Sequence, residues 1–214
     1  MMAAWFRAHH VLALLCLSPL AFPWPGQREA GYDVPAFGRD TVLVYKSTIE
    51  NEAAFVVRIA EFEPDRFIEW EDSTTQGTIL MPAKSILDGH EFINWSLYQG
   101  GMDTRGKNAT TLWLSRRIFR TLKEKPKVKI TMDALPTWIT VLGNDKMAIE
   151  INRTVRDVPV IMTRDERGVE RWFLDREDNP LLVNLKLRSY QQKLTSITTD
   201  RQNTLRWIKD KKKR

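Results

Sequence analysis

The segment Gly101–Asn108 has the residue spacing of a phosphate-binding P-loop, which would hold a nucleotide. Its two glycines and Lys107 stand where the motif G-x-x-x-x-G-K-[ST] requires them. The motif then needs a Ser or Thr hydroxyl for Mg²⁺, but Asn108 stands there, and residues 109–114 have the pattern of a strand instead of a phosphate-binding helix. We therefore predict a flexible hairpin tip at this segment and no nucleotide partner.

Histidine and cysteine, which supply many catalytic bases and zinc ligands, are scarce in this chain. It has three histidines and one cysteine, and all of them except His90 lie within the first 16 residues. One histidine cannot form a multi-histidine zinc site or a Cys–His dyad, and no G-x-S-x-G sequence presents a serine nucleophile. We predict no catalytic residue, no metal site and no cofactor, and we interpret His90 as a turn residue beside Gly89.

Carboxylates leave two further possibilities open. The acidic loop 175–179 offers oxygen ligands for a hard cation such as calcium, but it lacks the spacing of an EF-hand and is interpreted as a polar turn. The pairs Glu61/Glu63 and Glu69/Glu71 each lie on one face of a predicted strand, as the acid and base of a glycosidase would. A carboxylate-dependent hydrolase is therefore kept as a third hypothesis.

Residues 1–30 are predicted to be an export signal peptide. Arg7 precedes the apolar run Val11–Phe22, which at twelve residues is shorter than the roughly 20 of a membrane-spanning helix. Prolines follow this run at once, which favours cleavage between about Phe22 and Tyr32. The protein is therefore expected to be exported, either periplasmic or secreted.

The rest of the chain is predicted to be one domain, residues 31–199, followed by a basic tail, residues 200–214. This length is sufficient for one hydrophobic core. The single cysteine, Cys16, would leave with the signal peptide, so no disulfide could form and stability would depend on burial alone. An exported domain without disulfides favours a bacterial envelope.

The elements that would position these residues are mostly strands. From residue 127 onward apolar and polar residues alternate with the period of two that is typical of half-buried strands, over 127–132, 147–152 and 181–187. Further strands are predicted at 158–163, 169–174, 41–47, 54–60, 66–71, 77–80 and about 92–97. Turn signals at 143–145, 164–168 and 175–180 separate the later runs at hairpin-like intervals.

Two short helices are predicted to interrupt the strands. One spans 82–87 and has a proline at its start; the other spans 116–125, with Ser115 as its N-cap and Pro126 after its end. The fold class is therefore mainly β. We expect a single antiparallel meander sheet of about nine or ten strands, curled into a barrel or half-barrel.

Much of the formal charge of +6 is local, in residues 209–214 of the tail and in a second stretch near the middle of the chain. The cations of the second stretch, here called the basic strip, are Arg116, Arg117, Arg120, Lys123, Lys125, Lys127 and Lys129. Such a strip could dock on an anionic envelope surface, and the first four residues are predicted as surface-binding. The alternative is an ordinary solvated face.

Tryptophans in strand-like segments are explained first by core packing. A curled sheet rich in Trp, Phe and Met could also enclose an apolar cavity for a lipid-like ligand. The residues predicted to line such a cavity are Trp138, Ile149, Trp172 and Val183.

The last third of the chain has a recognisable order of motifs. A strand and turn, Gly168-x-x-x-Trp172-Phe-Leu-Asp175, is followed by Asn179-Pro-Leu-Leu182 and another strand. With the signal peptide, this order resembles exported bacterial β-proteins of a domain-of-unknown-function type, whose curled sheet is like the half-barrel of periplasmic lipoprotein carriers. The resemblance implies a fold and a compartment, and it brings no catalytic residues.

Three functional hypotheses follow. The first is a non-enzymatic envelope protein that binds an apolar or amphipathic ligand within its curled sheet. The second is an interaction module with a filled core, which docks on an anionic surface or a protein partner through the basic strip. The third is the hydrolase. No nucleic-acid partner is expected, and the oligomeric state is left open.

Overall fold

The computed structural model describes residues 34–48, 54–94, 103–105 and 107–200. This part of the chain forms thirteen strands and two helices. In chain order they are β1 Val42–Ser47, β2 Ala54–Glu61, β3 Arg66–Glu71, β4 Gln76–Met81, α1 Ala83–Asp88, β5 Glu91–Phe92, β6 Asp103–Arg105, β7 Ala109–Thr110, α2 Arg116–Glu124, β8 Lys127–Met132, β9 Leu135–Ile151, β10 Thr154–Asp165, β11 Glu170–Leu174, β12 Leu182–Leu187 and β13 Tyr190–Thr198.

All the strands belong to one sheet, in the order β6-β4-β3-β2-β1-β13-β12-β11-β10-β9-β8-β5-β7. The predicted class, mainly β with a curled sheet and short helices, is confirmed. The strand count exceeds the predicted nine or ten, chiefly because β5, β6 and β7 are only two or three residues long.

The ends of the sheet depart from the predicted antiparallel meander. The pairs β4–β6, β5–β7 and β5–β8 are parallel. Parallel neighbours need a crossover: in the chain, α1 lies between β4 and β6, and α2 lies between β5 and β8. The prediction of purely antiparallel pairing is therefore wrong here.

Strand β9 continues without interruption through residues 143–145, so the predicted turn there is wrong. Gly143 has a φ of +144°. It pairs with Met162, while Val141 pairs with the following residue of β10, which leaves one extra residue on β9 as a β-bulge. The bulge bends the strand where a tight turn was expected.

The chain reverses instead at two-residue loops whose residues have positive φ. Asp133 and Ala134 join β8 to β9, and Asn152 and Arg153 join β9 to β10. Positive φ at both central positions is typical of the type I′ hairpin turn, which matches the twist of the strands. None of these pairs includes the glycine that usually marks such a turn in a sequence.

An additional pairing closes part of the sheet into a ring. Ser196 and Ile197 of β13 pair with Glu150 and Ile151 of β9. Strands β9 to β13 already lie side by side in the sheet, so this contact between the first and the last of them closes the five strands into a ring. We call this region the closed part. The other halves of β9 and β10, together with β8, extend beyond it as the open part.

Buried apolar side chains form two clusters. The first core contains residues of β1 to β4 together with Ile149, Ile151 and Val160. The second core lies around α2 and includes Ile161 and Phe173. Consecutive residues of β10 therefore enter different cores, which explains why this strand is apolar on both faces.

Helix α2 follows the sequence prediction closely. The hydroxyl of Ser115 accepts a hydrogen bond from the backbone N–H of Ile118 at 3.1 Å, as expected of an N-cap. Ile118, Phe119 and Leu122 are buried in the second core. Of the helices within the described residues, neither is long and apolar enough to cross a membrane.

Candidate functional site

The four predicted ligand contacts do not surround one cavity. Ile149 and Val183 are 1% and 0% exposed and belong to the first core, against which the half-buried Trp172 packs. Trp138 lies on the open part and is 40% exposed. A ligand could reach Ile149 or Val183 only if the core opened, so their role as ligand contacts stays a prediction.

Three of the four predicted surface-binding cations are neutralised by ion pairs. Arg116 pairs with Glu63 at 3.2 Å, Arg120 pairs with Glu177 at 2.6 Å, and Lys123 pairs with Asp175 at 2.8 Å. Arg117 is exposed, and no ion pair to it is found among the described residues. The helical half of the basic strip therefore presents little net charge to a partner.

The acidic loop 175–179, considered above for a hard cation, is engaged within the protein. Besides the two ion pairs to α2, Asp178 pairs with Arg176. The Asn179 side-chain oxygen accepts a hydrogen bond from the Trp113 indole at 2.7 Å. Within the part of the chain that the structure describes, no group of three His, Cys, Asp or Glu side chains is arranged to hold a metal ion.

The P-loop-like segment Gly101–Asn108 is only partly described. Its residues 103–105 form β6, which pairs in parallel with β4. The hairpin-tip prediction is therefore wrong for these three residues, because the sheet edge offers them a partner strand. The next strand, β7, spans only Ala109–Thr110, so the predicted strand at 109–114 is confirmed only at its start. The signal peptide and residues 201–214 of the basic tail lie outside the described residues.

The predicted carboxylate pairs are divided between partners. Glu69 accepts a hydrogen bond from Arg58 at 2.8 Å, and Glu63 pairs with Arg116, as described above. Both carboxylates lie on the surface, with side chains 41% and 63% exposed. Nothing in this geometry sets one carboxyl group apart as an acid and another as a base.

A cleft that the sequence analysis did not anticipate lies at the open part, where several strands turn. We call it the arginine cleft. It has a volume of about 490 Å³. Its walls are formed by Asn94, Met132, Asp133, Asp165, Arg167, Val169, Arg171, Leu185, Leu187, Arg188 and Tyr190.

A buried ion pair forms the base of the arginine cleft. The guanidinium of Arg171 donates a hydrogen bond to Asp165 at 2.8 Å, and both side chains are almost completely buried. The other oxygen of Asp165 accepts hydrogen bonds from the backbone N–H groups of Arg167 and Val169, each at 2.9 Å. Asp165 therefore holds the β10–β11 turn closed and orients Arg171 at the same time.

Arg171 has hydrogen-bonding capacity to spare. Its Nε is buried and has no hydrogen-bond partner. Burial lowers the pKa of Arg171, the bond to Asp165 offsets part of that effect, and the nearby positive charge of Arg167 adds to the lowering. A guanidinium nevertheless stays protonated at neutral pH, so Arg171 remains a buried cation.

Two exposed arginines complete the polar side of the cleft. Arg167 and Arg188 lie on the turns after β10 and β12, and neither makes an ion pair with any described residue. Met132, Val169 and Leu185 form an apolar part of the lining, here called the floor. The lining thus has three arginines against two aspartates, beside an apolar surface.

The sequence held a partial signal for this cleft. Residues 164–168 were recognised as a turn, and an aspartate at the start of such a turn commonly binds the backbone N–H groups that follow. The contribution of Arg188 could not be read in the same way, because it depends on the position of the β12–β13 turn.

A second cleft, of about 650 Å³, lies between the β2–β3 loop and the acidic loop. Its cations are engaged: Arg39 donates to the Ala60 carbonyl, and Arg176 binds Asp178 and the Val34 carbonyl. Behind its wall lies Arg66, which is 1% exposed. Burial, with the nearby Arg116, lowers the pKa of Arg66 to about 9.

Arg66 is held by rings and not by a carboxylate. Its guanidinium carbon lies 4.4 Å from the ring centre of Phe62 and 4.9 Å from that of Trp113. Its Nη2 donates to the Asp178 carbonyl at 3.0 Å. This cation–π arrangement ties β3 to the acidic loop, so Arg66 does not supply a cation to the second cleft. Of the cations that line this cleft, Arg39 alone makes no ion pair within the described residues.

Comparisons with known proteins add nothing to this picture: no family model, no curated protein and no solved structure matches the chain.

Proposed function

We propose that this protein is a non-enzymatic binding protein that takes a small amphipathic anion in the arginine cleft. The ligand would carry one carboxylate or phosphate group and a short apolar part. The observation that carries the proposal is the pair Arg167 and Arg188, which lack counter-ions among the described residues and share one cleft with an apolar floor.

The cleft suits such a ligand better than the interior of the sheet does. Its volume of about 490 Å³ is within the usual range of roughly 300–1,000 Å³ for small-molecule sites. The first core, in contrast, is filled with side chains that are almost wholly buried. The volume of the cleft and the filled first core support a binding site at the end of the sheet instead of inside it.

The charges of the lining favour a ligand with one negative charge. The guanidinium groups of Arg167 and Arg188 attract an anionic head, whereas the charge of Arg171 is already neutralised by Asp165. Asp133 lies in the same cleft and would repel a second negative charge on the ligand. The floor of Met132, Val169 and Leu185 would then bury the hydrocarbon part.

Calorimetric titration with octanoate tests this proposal, and octyl phosphate, which is mostly a dianion at pH 7, should bind more weakly. Loss of one charge-assisted hydrogen bond weakens binding about 10- to 100-fold, so Arg188→Gln and Arg167→Gln should each do so. Arg153→Gln is the matched control, because Arg153 is also an exposed arginine with positive φ in a two-residue turn. Unchanged affinity in both cleft variants, or an equal loss in the control, would exclude the arginine cleft as the site.

The envelope location is a separate proposal, and it rests on the sequence of residues 1–30 alone. If it is correct, protein purified from its native host lacks these residues. Intact mass spectrometry measures this directly. A full-length mass in the cytoplasmic fraction would remove the compartment from the proposal and leave the cleft unaffected.

A further inference from the structure

The open part of the sheet presents a row of charged side chains on one face. In an antiparallel pair, residues directly opposite each other point to the same side of the sheet. The register places Lys127 opposite Thr140, Thr140 opposite Arg164, Arg164 opposite Glu170, and Glu170 opposite Lys186. The row therefore crosses the five strands from β8 to β12.

Positive charge dominates this row. Arg164 pairs with Glu170 at 2.6 Å, which neutralises both. Lys127 and Lys186 are exposed and make no ion pair within the described residues. Lys129, next to the row on β8, is also exposed and is not paired there. This contrasts with α2, where acidic partners neutralise most of the cations.

Exposed apolar groups accompany these lysines. Trp138 lies directly opposite Lys129, and Leu142 lies further along the same strand. Trp138 is 40% exposed and Leu142 is 42% exposed. The ammonium group of Lys127 lies 5.0 Å from the centre of the Trp138 ring. We call this surface, formed by Lys127, Lys129, Trp138, Leu142, Arg164 and Lys186, the tryptophan face.

We propose that the tryptophan face docks on the surface of an anionic phospholipid bilayer. Lysines attract the negatively charged headgroups, and tryptophan is the side chain best suited to the boundary between headgroups and acyl chains. Leu142, four residues further along β9, adds an exposed aliphatic group that can enter the same boundary. The exposed Glu166, whose backbone N–H donates to the Trp138 carbonyl, brings one negative charge to this surface, but the three lysines leave an excess of positive charge. This excess is complementary to the charge of the bilayer, which is why we assign this partner.

Single-stranded nucleic acid is the other polyanion to consider. Nucleobases bind on open faces of several aromatic rings, whereas this face offers one exposed tryptophan whose ring is already next to Lys127. An aliphatic neighbour such as Leu142 suits acyl chains better than bases. The proposal is independent of the arginine cleft, since it uses none of the cleft residues.

Cosedimentation of the full chain with vesicles of phosphatidylglycerol and phosphatidylcholine tests this docking. Each lysine near an anionic surface strengthens binding about fivefold at low ionic strength, so K127Q/K129Q should weaken it about 25-fold. The matched control K84Q/K146Q removes two other exposed lysines, on α1 and on the far half of β9. It should bind as the unmodified chain does. An equal loss in the control would overturn the proposal.

The apolar contribution and the alternative partners are separated by three further measurements. Trp138→Ala should weaken vesicle binding at least about fivefold while the circular dichroism spectrum stays unchanged.

Neutralising the lysines of residues 209–214 should leave most of the binding in place. If that change abolishes binding while K127Q/K129Q does not, the tail is the docking element and the proposal fails. Tighter, Trp138-dependent binding of a single-stranded DNA oligonucleotide would assign nucleic acid as the partner instead.

Discussion

Both ends of β10 lie in the same sheet, but the side chains on one of its faces are buried near the start of the strand and exposed near its end. Val158 and Val160 are buried in the first core, Met162 is partly buried against it, and Arg164 is exposed. These are alternate residues of one strand, so they point to the same side. What differs is the cover: β1 to β4 supply side chains to the first core, whereas no second layer covers this face of the open part among the described residues. Alternation in a sequence thus identifies the face of a strand but not whether anything covers it.

The largest effect that tests this comparison is expected from Ile149→Asp. The substitution would place an unpaired charge in the first core, which costs more than about 4 kcal/mol and should abolish cooperative folding. Thr140→Asp is the matched control, on the exposed half of the same strand, and should change stability by less than about 0.5 kcal/mol. Urea denaturation measures both. A folded Ile149→Asp protein would show that the closed part contains accessible space.

A smaller but still large effect is expected beneath the arginine cleft. Arg171→Met leaves Asp165 buried without its ion-pair partner and should destabilise the fold by about 3–5 kcal/mol. The double variant R171M/D165N should recover part of this loss, because no uncompensated charge remains. Thermal unfolding of both variants measures the difference. Equal stability of the single variant and the original chain would mean that solvent reaches this pair.

An intermediate effect, which depends on pH, is expected from Tyr45→Phe in the closed part. The Tyr45 hydroxyl donates to the Leu182 carbonyl at 2.8 Å, and its loss should cost about 1 kcal/mol at pH 7. Burial raises the pKa of the Tyr45 hydroxyl in the folded protein above its value of about 10 in the unfolded chain. The protonated hydroxyl therefore contributes its full stabilisation below about pH 10.

That contribution is lost as the pH rises above about 10, at up to about 1.4 kcal/mol per pH unit. The unfolding free energy of the original chain should therefore fall more steeply between pH 10 and 11 than that of Tyr45→Phe. Urea titrations at pH 7, 10 and 11 compare them. Parallel pH dependence in the two proteins would mean that Tyr45 ionises without unfolding the closed part.

The smallest effect is expected on the tryptophan face. Leu142→Ser changes a side chain that is largely exposed, and it should alter the unfolding free energy by less than about 0.5 kcal/mol. Met147→Ser, further along β9 where the strand enters the first core, should cost several times more. The same urea titration measures both. Equal costs would remove the distinction between the open and closed parts.

The sequence was sufficient for elements whose signals are local. The alternation in β8, the N-cap Ser115 and the helix stop at Pro126 all depend on neighbours within a few residues, and each was found. The turn at Gly143–Asp145 was predicted from composition alone. A glycine with positive φ also serves a β-bulge, and only the partner strand decides between the two structures.

Non-local features were beyond the sequence for a physical reason. The prediction that Ile149 and Trp138 both contact a ligand assumed that the two side chains face the same space. The pairing of β13 with β9 encloses only the half of β9 that carries Ile149. The ion pairs that neutralise the α2 half of the basic strip could not be predicted from the sequence either. Its acidic partners Glu63 and Asp175 are more than 50 residues away from Arg116 and Lys123, respectively.

The place of β13 has a consequence for how the chain acquires its structure over time. This strand lies between β1 and β12 and also pairs with β9, so Val42 meets Thr198 across almost the entire domain. Contacts between residues so far apart in sequence form late and slowly, because the loop-closure entropy is lost before the contact is gained. Until Tyr190–Thr198 emerges from the ribosome, β1 has a free edge that can pair with another chain. The interval between synthesis of β1 and of β13 is therefore the period in which a nascent chain is most exposed to aggregation.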